Sequence, residues 1–520
     1  MASKATEKQA LTRHIGTVSG LTLVSRLSGL VRDMVFAGLF GAGFAADAFN
    51  IAFTIPNIFR RLLAEGAMSI AFVPVFTEYR TTHSFEENRR LYDVTLTTFT
   101  TILIFVTTAG IVFSPYILKL FAPGFGATKF ALAVYLNRLL FPYLFFVGLT
   151  ALFTGILNTH RHFAAPAAAP ILLNAAIIGC ALTLSGMVSP PITAMAIGVL
   201  AGGLLGLLLQ VPFLLRRGIR LKPRIEFGHP AVGKMMRLMG PALFGVAVYQ
   251  VNILVSRALA SLLPEGSVTY VYYSDRFLEL PLGVFAVAVA TVALPSLSEH
   301  ATTERLDRLK ETLSFALRLT LLVCIPAMVW MAICRRPIIA TLLERGRFSM
   351  SDTLATAHVF LFASLGIWAI AGIRNLVPAF YSLKDTKTPV AIAFAAFLLN
   401  AGLGVLLMWP MGPAGLTLAN SISATMDCLL LVFFLRRKIG PLGMRAVWGS
   451  AWRVALASLG AGVAAWPFTR LDIWAVGGTA ARVCYLALAG LAGALTFLIM
   501  ARILRVPEME ALWRRLAGRR

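Results

Sequence analysis

Apolar runs long enough to cross a bilayer follow one another along nearly the whole chain, broken only by short clusters of glycine, proline and charge. A span needs about 20 mostly apolar residues, and no stretch between the runs is long enough to build a sizeable soluble domain. The runs place helices near 15–40, 45–78, 93–121, 129–158, 167–187 and 191–215, then 235–263, 267–299, 312–334, 353–381, 388–409 and 412–436, and finally 446–468 and 475–505. The expected fold is an all-α polytopic membrane protein of about 14 transmembrane helices, grouped six, six and two. Only 13% of the 520 residues are charged, against about 25% in a soluble domain. Any function must therefore sit within or across the bilayer.

The net charge of +24 would suggest nucleic acid in a soluble protein, but its distribution gives another reason. Basic residues gather in alternate connections: Lys4, Lys8 and Arg13; Arg80, Arg89 and Arg90; Arg161; the run from Arg216 to Arg224; Arg305 to Lys310; Lys384 and Lys387; Arg436 to Lys438; and the tail from Arg514. The connections between them, 41–45, 185–191, 263–267 and 409–413, carry almost no charge. This is the positive-inside pattern, which places the basic loops and both termini in the cytoplasm and leaves nucleic acid unneeded as a partner. The first run lacks a signal peptide's short core and cleavage site, so it is expected to remain as helix one. The five cysteines are scattered without a CxxC pair and read as small core residues.

An internal repeat divides the first twelve helices. Ser25-Arg26 recurs as Ser256-Arg257, Val73-Pro74 with Glu78 as Leu294-Pro295 with Glu299, and Leu120 to Gly124 as Leu342 to Gly346. Pro166 with Leu172-Leu173-Asn174 recurs as Pro389 with Leu398-Leu399-Asn400. The shared order and spacing, at a shift of roughly 220 to 230 positions, predict a six-helix lobe over 1–220 and a second over 221–440, with two more helices and a basic tail over 441–520. Six is even, so both lobes enter from the same side, an arrangement that suits alternating access by rocking of one lobe against the other.

Several charges fall where lipid should exclude them. Helix one contains Arg26, Arg32 and Asp33, helix two Asp47, Arg60, Arg61 and Glu65, and helix eight Asp275, Arg276 and Glu279. An arginine at mid-bilayer costs about 2.5 to 3.5 kcal/mol on insertion scales unless it faces a wet cavity or a partner. Arg61 and Glu65 are four apart and can satisfy one another. Ser25 and Arg32 share a face, as do Arg26 and Asp33. Arg60 lies about 22 Å of rise into its helix, too deep for easy snorkelling. Guanidinium binds phosphate bidentately and keeps its charge, so Arg26, Arg32, Arg60 and Arg276 are the candidate substrate-binding groups for an anionic, phosphorylated cargo. Ser25, Asp33, Asp47, Arg61, Glu65, Asp275 and Glu279 are candidates for gating or support. Asp427 and Arg374 are isolated polar positions in the second lobe that suit either coupling or packing. No catalytic group, cofactor or metal site is expected: the seven histidines form no metal motif, and the turn His160-Arg161-His162 reads as an ordinary solvated one. Gly41 to Ala46 fits a dinucleotide fingerprint only in its letters, since it follows a membrane helix. Gly198, Gly202 and Gly206 read as helix packing.

The stretches 25–33 (Ser-Arg-Leu-Ser-Gly-Leu-Val-Arg-Asp), 46–49 (Ala-Asp-Ala-Phe) and 56–67 (Pro-Asn-Ile-Phe-Arg-Arg-Leu-Leu-Ala-Glu-Gly-Ala) closely resemble the N-terminal signature of the MurJ (MviN) lipid II flippases. The resemblance continues through Ala122 to Phe125, Tyr272 to Glu279, and Phe380-Tyr381-Ser382 with Lys387-Thr388-Pro389, and so covers essentially the whole chain. It implies an inner-membrane flippase, not an enzyme, moving an undecaprenyl-diphosphate-linked peptidoglycan precursor outward for cell-wall synthesis, with membrane lipids and cell-wall synthesis proteins as its company. It also implies head-group handling or gating by Arg26, Arg32, Arg60, Arg276, Asp47, Glu65 and Glu279, and a groove for the polyprenyl tail on the last two helices. Thr54 stands where some members carry lysine. A flippase for another lipid-linked oligosaccharide shares the anionic cargo. A multidrug or cation exporter would call for carboxylates rather than arginines in its cavity.

Overall fold

The computed structural model describes residues 2–62, 71–219, 222–226, 228–303 and 305–510, which are helical wherever they are regular. Two compact units result, Met1–Leu262 and Leu263–Arg520. The first comprises α1 (Ala2–Phe40), α2 (Phe44–Arg60), α3 (Val73–Thr82), α4 (Phe85–Val112), α5 (Ser114–Phe121), α6 (Ala127–Leu140), α7 (Pro142–Thr159), α8 (Ala164–Leu184), α9 (Thr193–Leu215) and α10 (Pro230–Ser261). The second comprises α11 (Ser267–Pro281), a π-helical turn (Leu282–Ala286), α12 (Val287–Thr302), α13 (Leu306–Ile333), α14 (Arg335–Leu343), α15 (Met350–Ser364), α16 (Ile367–Ser382), α17 (Lys387–Met411), α18 (Pro413–Ile439), α19 (Met444–Thr469), α20 (Ile473–Val476) and α21 (Thr479–Ile503).

Each apolar run carries helix, and the chain is a multi-pass membrane protein. Among the described residues, eight helical segments are long and apolar enough to cross a membrane, and the pair α15 and α16, bent by 41°, makes a ninth. The sequence reading of about fourteen is thus met by a smaller number on length and composition. The helices that miss the test include those that carry charge (α1, α19) and those that are too short (α2, α3, α11, α12). Several breaks precede a proline: Pro115 opens α5, Pro142 opens α7 and Pro337 lies early in α14, each removing one backbone donor from the helical ladder.

The repeat shows in how helices pair within each unit. α8 packs on α9 and α17 on α18; α7 packs on α9 and α16 on α18; α4 packs on α7 and α13 on α16. The small-residue steps of α9 are what allow its close approach to α8. A Cβ at Gly198 would stand 2.7 Å from the Ile177 Cα, and one at Gly202 2.7 Å from the Leu173 Cα. Gly202→Leu is accordingly expected to destabilise the protein by at least about 1–3 kcal/mol through overpacking, read as a lower melting temperature in detergent. An unchanged melting curve would show that the two helices part without cost.

Ion pairs tie the connections down. Asp385, in the turn between α16 and α17, accepts from the Lys438 Nζ at 2.7 Å and from the Thr388 backbone and hydroxyl at 3.0 and 2.8 Å. The Lys438 hydrogen bond first, then Thr388, holds its carboxyl down at about 2. The segment joining α9 to α10 is stitched to α4: the Lys222 N–H donates to the Asp93 Oδ1 (2.8 Å), the Arg224 N–H to the Thr97 Oγ1 (2.6 Å), and Arg90 pairs with Glu226. The last two long helices are fastened at both ends. Glu508, beyond α21, accepts from Arg318 of α13 (2.9 Å) and from the Ser450 hydroxyl of α19 (2.6 Å). At the other end Arg482 of α21 donates to Glu344 (2.9 Å) and to the carbonyls of Ala340 and Ala475.

Two expectations are corrected. Cys324, Cys334 and Cys428 are buried, but Cys484 is exposed and Cys180 intermediate, so a core role does not hold for all five. The turn after α7 is not simply solvated: the His162 ring stacks on Phe213 at 4.6 Å, and His160 lies 3.4 Å from the Tyr92 hydroxyl. Burial, then Arg80 and Arg217, pushes the His160 imidazole below its ordinary value.

Candidate anion-handling site

On α1 the side chains of Ser28 and Arg32 meet α8. The Arg32 Nε and Nη2 donate to the Asp33 Oδ1 at 3.0 and 2.6 Å, and Nη1 donates to the Asn174 Oδ1 at 3.2 Å. Asn174 in turn donates from Nδ2 to the Ser25 carbonyl (3.2 Å) and the Ser28 hydroxyl (3.0 Å). Arg32 and Asp33 are both buried. The sequence gives the reason they are tolerated: an asparagine in the apolar run of α8 bridges guanidinium to helix backbone, and the adjacent carboxylate balances the charge. The guanidinium is therefore held in one orientation by charge-assisted hydrogen bonds. Arg26, six residues earlier, is only partly buried and lies on another face of α1.

Arg60 closes α2 and donates from Nε to the Asn57 Oδ1 at 2.7 Å. Tyr143, buried on α7, has its ring centroid 6.2 Å from that of Phe53 on α2. Arg61 follows in a π-helical turn, and Glu65 lies outside the described residues, as does any Arg61–Glu65 pairing. Thr54 turns its hydroxyl to the Asn50 carbonyl, 2.6 Å away.

Asp47 is not brought to the arginines by any of these bonds. It sits in the first turn of α2 and takes the Lys129 Nζ of α6 at 2.7 Å, with the Phe125 and Phe44 rings 4.7 and 6.0 Å from that ammonium. This partner is 82 residues away and has no signature in the local sequence.

In the second unit Arg276 donates to Glu279 at 3.1 Å, one turn along α11, while Asp275 is exposed. The Arg276 and Glu279 side chains are 36% and 47% exposed, so this pair contributes only about 0.2–0.5 kcal/mol. Just beyond, α11 widens into the π-helical turn, where Arg374 of α16 donates to the Leu282 carbonyl at 3.3 Å. Asn174, Lys129 and Asn57 are the site residues that a search confined to charges in apolar runs passes over. A polar residue inside an apolar run was the available signal for Asn174.

The family model described as lipid II flippase MurJ matches residues 36–485. The chain is 38% identical over 486 residues to a probable lipid II flippase MurJ of Vibrio cholerae, covering 92% of each chain. It is 36% identical to the lipid II flippase MurJ of Burkholderia cenocepacia, covering 82% of this chain and 84% of that one. A solved structure of lipid II flippase MurJ in an inward closed conformation superposes with a TM-score of 0.79 at 29% identity, covering 94% of this chain and 98% of that one. A multidrug resistance MATE family transporter shares the fold at a TM-score of 0.68 and 12% identity, covering 82% and 98%. With its family model matched over most of its length and relatives this similar at nearly full coverage, the chain belongs to the MurJ lipid II flippase family.

Proposed function

We propose that this chain is a flippase, not an enzyme, that carries the diphosphate head of lipid II across a bacterial inner membrane, from cytoplasmic to outer leaflet, with both termini cytoplasmic. The observation that carries the reading is the buried Arg32, held in one orientation by Asp33 and Asn174. A lipid-linked diphosphate fits it: the charged head needs guanidinium forks, and the tail stays in lipid. Arg26 and Arg276 are the other proposed phosphate-binding groups, and the Asp47–Lys129 and Arg276–Glu279 pairs are the proposed gating charges. The lobes are the repeats 1–220 and 221–440, which rock to expose the head first to one side and then the other, while 441–520 accompanies the tail. Cell-wall synthesis enzymes that consume lipid II are the partners downstream.

The test is reconstitution in vesicles with labelled lipid II and a control polyprenyl-diphosphate sugar, with and without a membrane potential. Lipid II is expected to cross faster than the control. Transport of the control alone would overturn the cargo assignment.

A further inference from the structure

α18 carries a stripe of polar side chains that the cargo reading does not use. Asn420, Ser423 and Asp427 are spaced i, i+3, i+7, which sets them on one face over about 10 Å. Asp427 lies about 21 Å from the start of the helix at Pro413 and about 18 Å from its end at Ile439, at the middle of a segment apolar enough to cross the membrane. Among the described residues neither Asp427 nor Asn420 has a hydrogen-bond or ion-pair partner. The Ser423 hydroxyl, on a residue 3% exposed, has none either. The stripe lies across the helix from the exposed Ile422 and Leu429; Ser423 is buried, and Asn420 and Asp427 are intermediate in exposure.

The charged and titratable groups on the helices packed against α18 leave Asp427 alone. On α16, Gly372 faces Cys428, so Arg374, two residues on, points about 160° away from α18 and binds the Leu282 carbonyl; Tyr381 is near the far end of that helix. On α15, Asp352 accepts from the Tyr270 hydroxyl of α11 and His358 meets Phe362 edge-on. On α11, Tyr272 packs on Tyr273, Arg276 pairs with Glu279, and Asp275 is exposed. α17 carries Lys387 at its remote end, and α18's own Arg436, Arg437 and Lys438 lie nine or more residues away. Asp427 has Cys428 beside it in sequence, on the adjacent face.

A carboxylate at mid-membrane with no counter-charge is strongly disfavoured, whereas the neutral acid avoids that cost. The stripe also has a direction. Ser423 and Asn420 continue it toward the Gly412 end of α18, while the apolar Leu430, Leu431 and Phe434 follow Asp427 toward the other end. We propose that Asp427 is a proton-binding site, loaded along Ser423 and Asn420 from the Gly412 end, whose proton exchange couples the transport cycle to the proton gradient. One proton passes from water at that end to the carboxylate and leaves as a proton on the opposite side when the lobe changes state. The coupling half of this rests on the flippase reading; the protonation half does not.

Two measurements on the full chain test the halves separately. The infrared difference between the wild type and Asp427→Asn in nanodiscs at neutral pH should show the band of a protonated carboxyl, and Asp427→Glu should restore one. An ionised carboxylate there overturns the proposal. In lipid II flipping vesicles, acid at the Gly412 side is expected to raise the wild-type rate by up to about tenfold per pH unit, the limit for one coupled proton. Asp427→Asn should flip without that dependence, and Asp427→Glu should regain it. A wild-type rate indifferent to the proton gradient, or one that follows sodium instead, overturns the coupling. Absence of any lipid II flipping by the wild type sinks the cargo reading, while the infrared result still decides the proton site.

Discussion

Arg32→Ala should lower stability and stop transport together, and a second substitution separates the two effects. Asp33 is 3% exposed at its side chain and takes two of the Arg32 N–H groups, so deleting the guanidinium breaks a buried ion pair, at a cost of about 3–5 kcal/mol. The same deletion removes the bond to Asn174 and with it part of the attachment of α1 to α8. Adding Asp33→Asn removes the burdened carboxylate and is expected to return most of the melting temperature. On the proposed role of Arg32, transport should not return, because the guanidinium is still missing. Charge-assisted hydrogen bonds of that kind contribute about 1.5–3 kcal/mol, or roughly 10- to 100-fold in rate if made in the transported complex. Arg32→Lys keeps the charge but not the fork, and is expected to fall between the two. A double variant that flips lipid II at the wild-type rate would make Arg32 a purely structural residue.

Lys129→Ala is expected to have the second largest effect. The Asp47 side chain is 2% exposed and its Lys129 partner 12% exposed, and removing one member of such a buried pair again costs about 3–5 kcal/mol. The ammonium also lies against the Phe125 and Phe44 rings, which adds about 0.5–2 kcal/mol of cation–π attraction. Melting in detergent should therefore fall sharply for Lys129→Ala, and the combination with Asp47→Asn should be milder than the sum of the two single changes. Strict additivity would mean that the two side chains do not act as a pair.

These two cases also mark what a sequence can and cannot disclose. Helices were legible because an apolar run of membrane length has few other solutions, and the repeat was legible because landmarks such as Leu172-Leu173-Asn174 and Leu398-Leu399-Asn400 keep their order. Arg32 and Arg60 stood out because lipid makes them costly. What stayed hidden was pairing at a distance. Lys129 and Asp47 are both near helix ends, where a charge is unremarkable, and only the packing of α6 on α2 brings them to 2.7 Å. The bridge from Arg32 to α8 was hidden for the same reason: periodicity assigns a face to Asn174, but not the helix that the face will meet. The π-helical widening after Pro281 had no sequence marker beyond the proline itself.

The fastening of α19 and α21 at both ends has a mechanical consequence. A helix pair held at one end is a leaf on a hinge: it can swing while its neighbours stay still. Arg482 on Glu344 and Ala340 holds one end, and Glu508 on Arg318 and Ser450 the other. The pair therefore cannot swing from either end without breaking a buried bond, and a twist of α13 and α14 is passed to it as torque. The exposed Trp448, Trp452, Val463 and Leu491 ride on this doubly fastened pair. Loosening Glu508 alone would free a single end and turn the rigid strut into a flap.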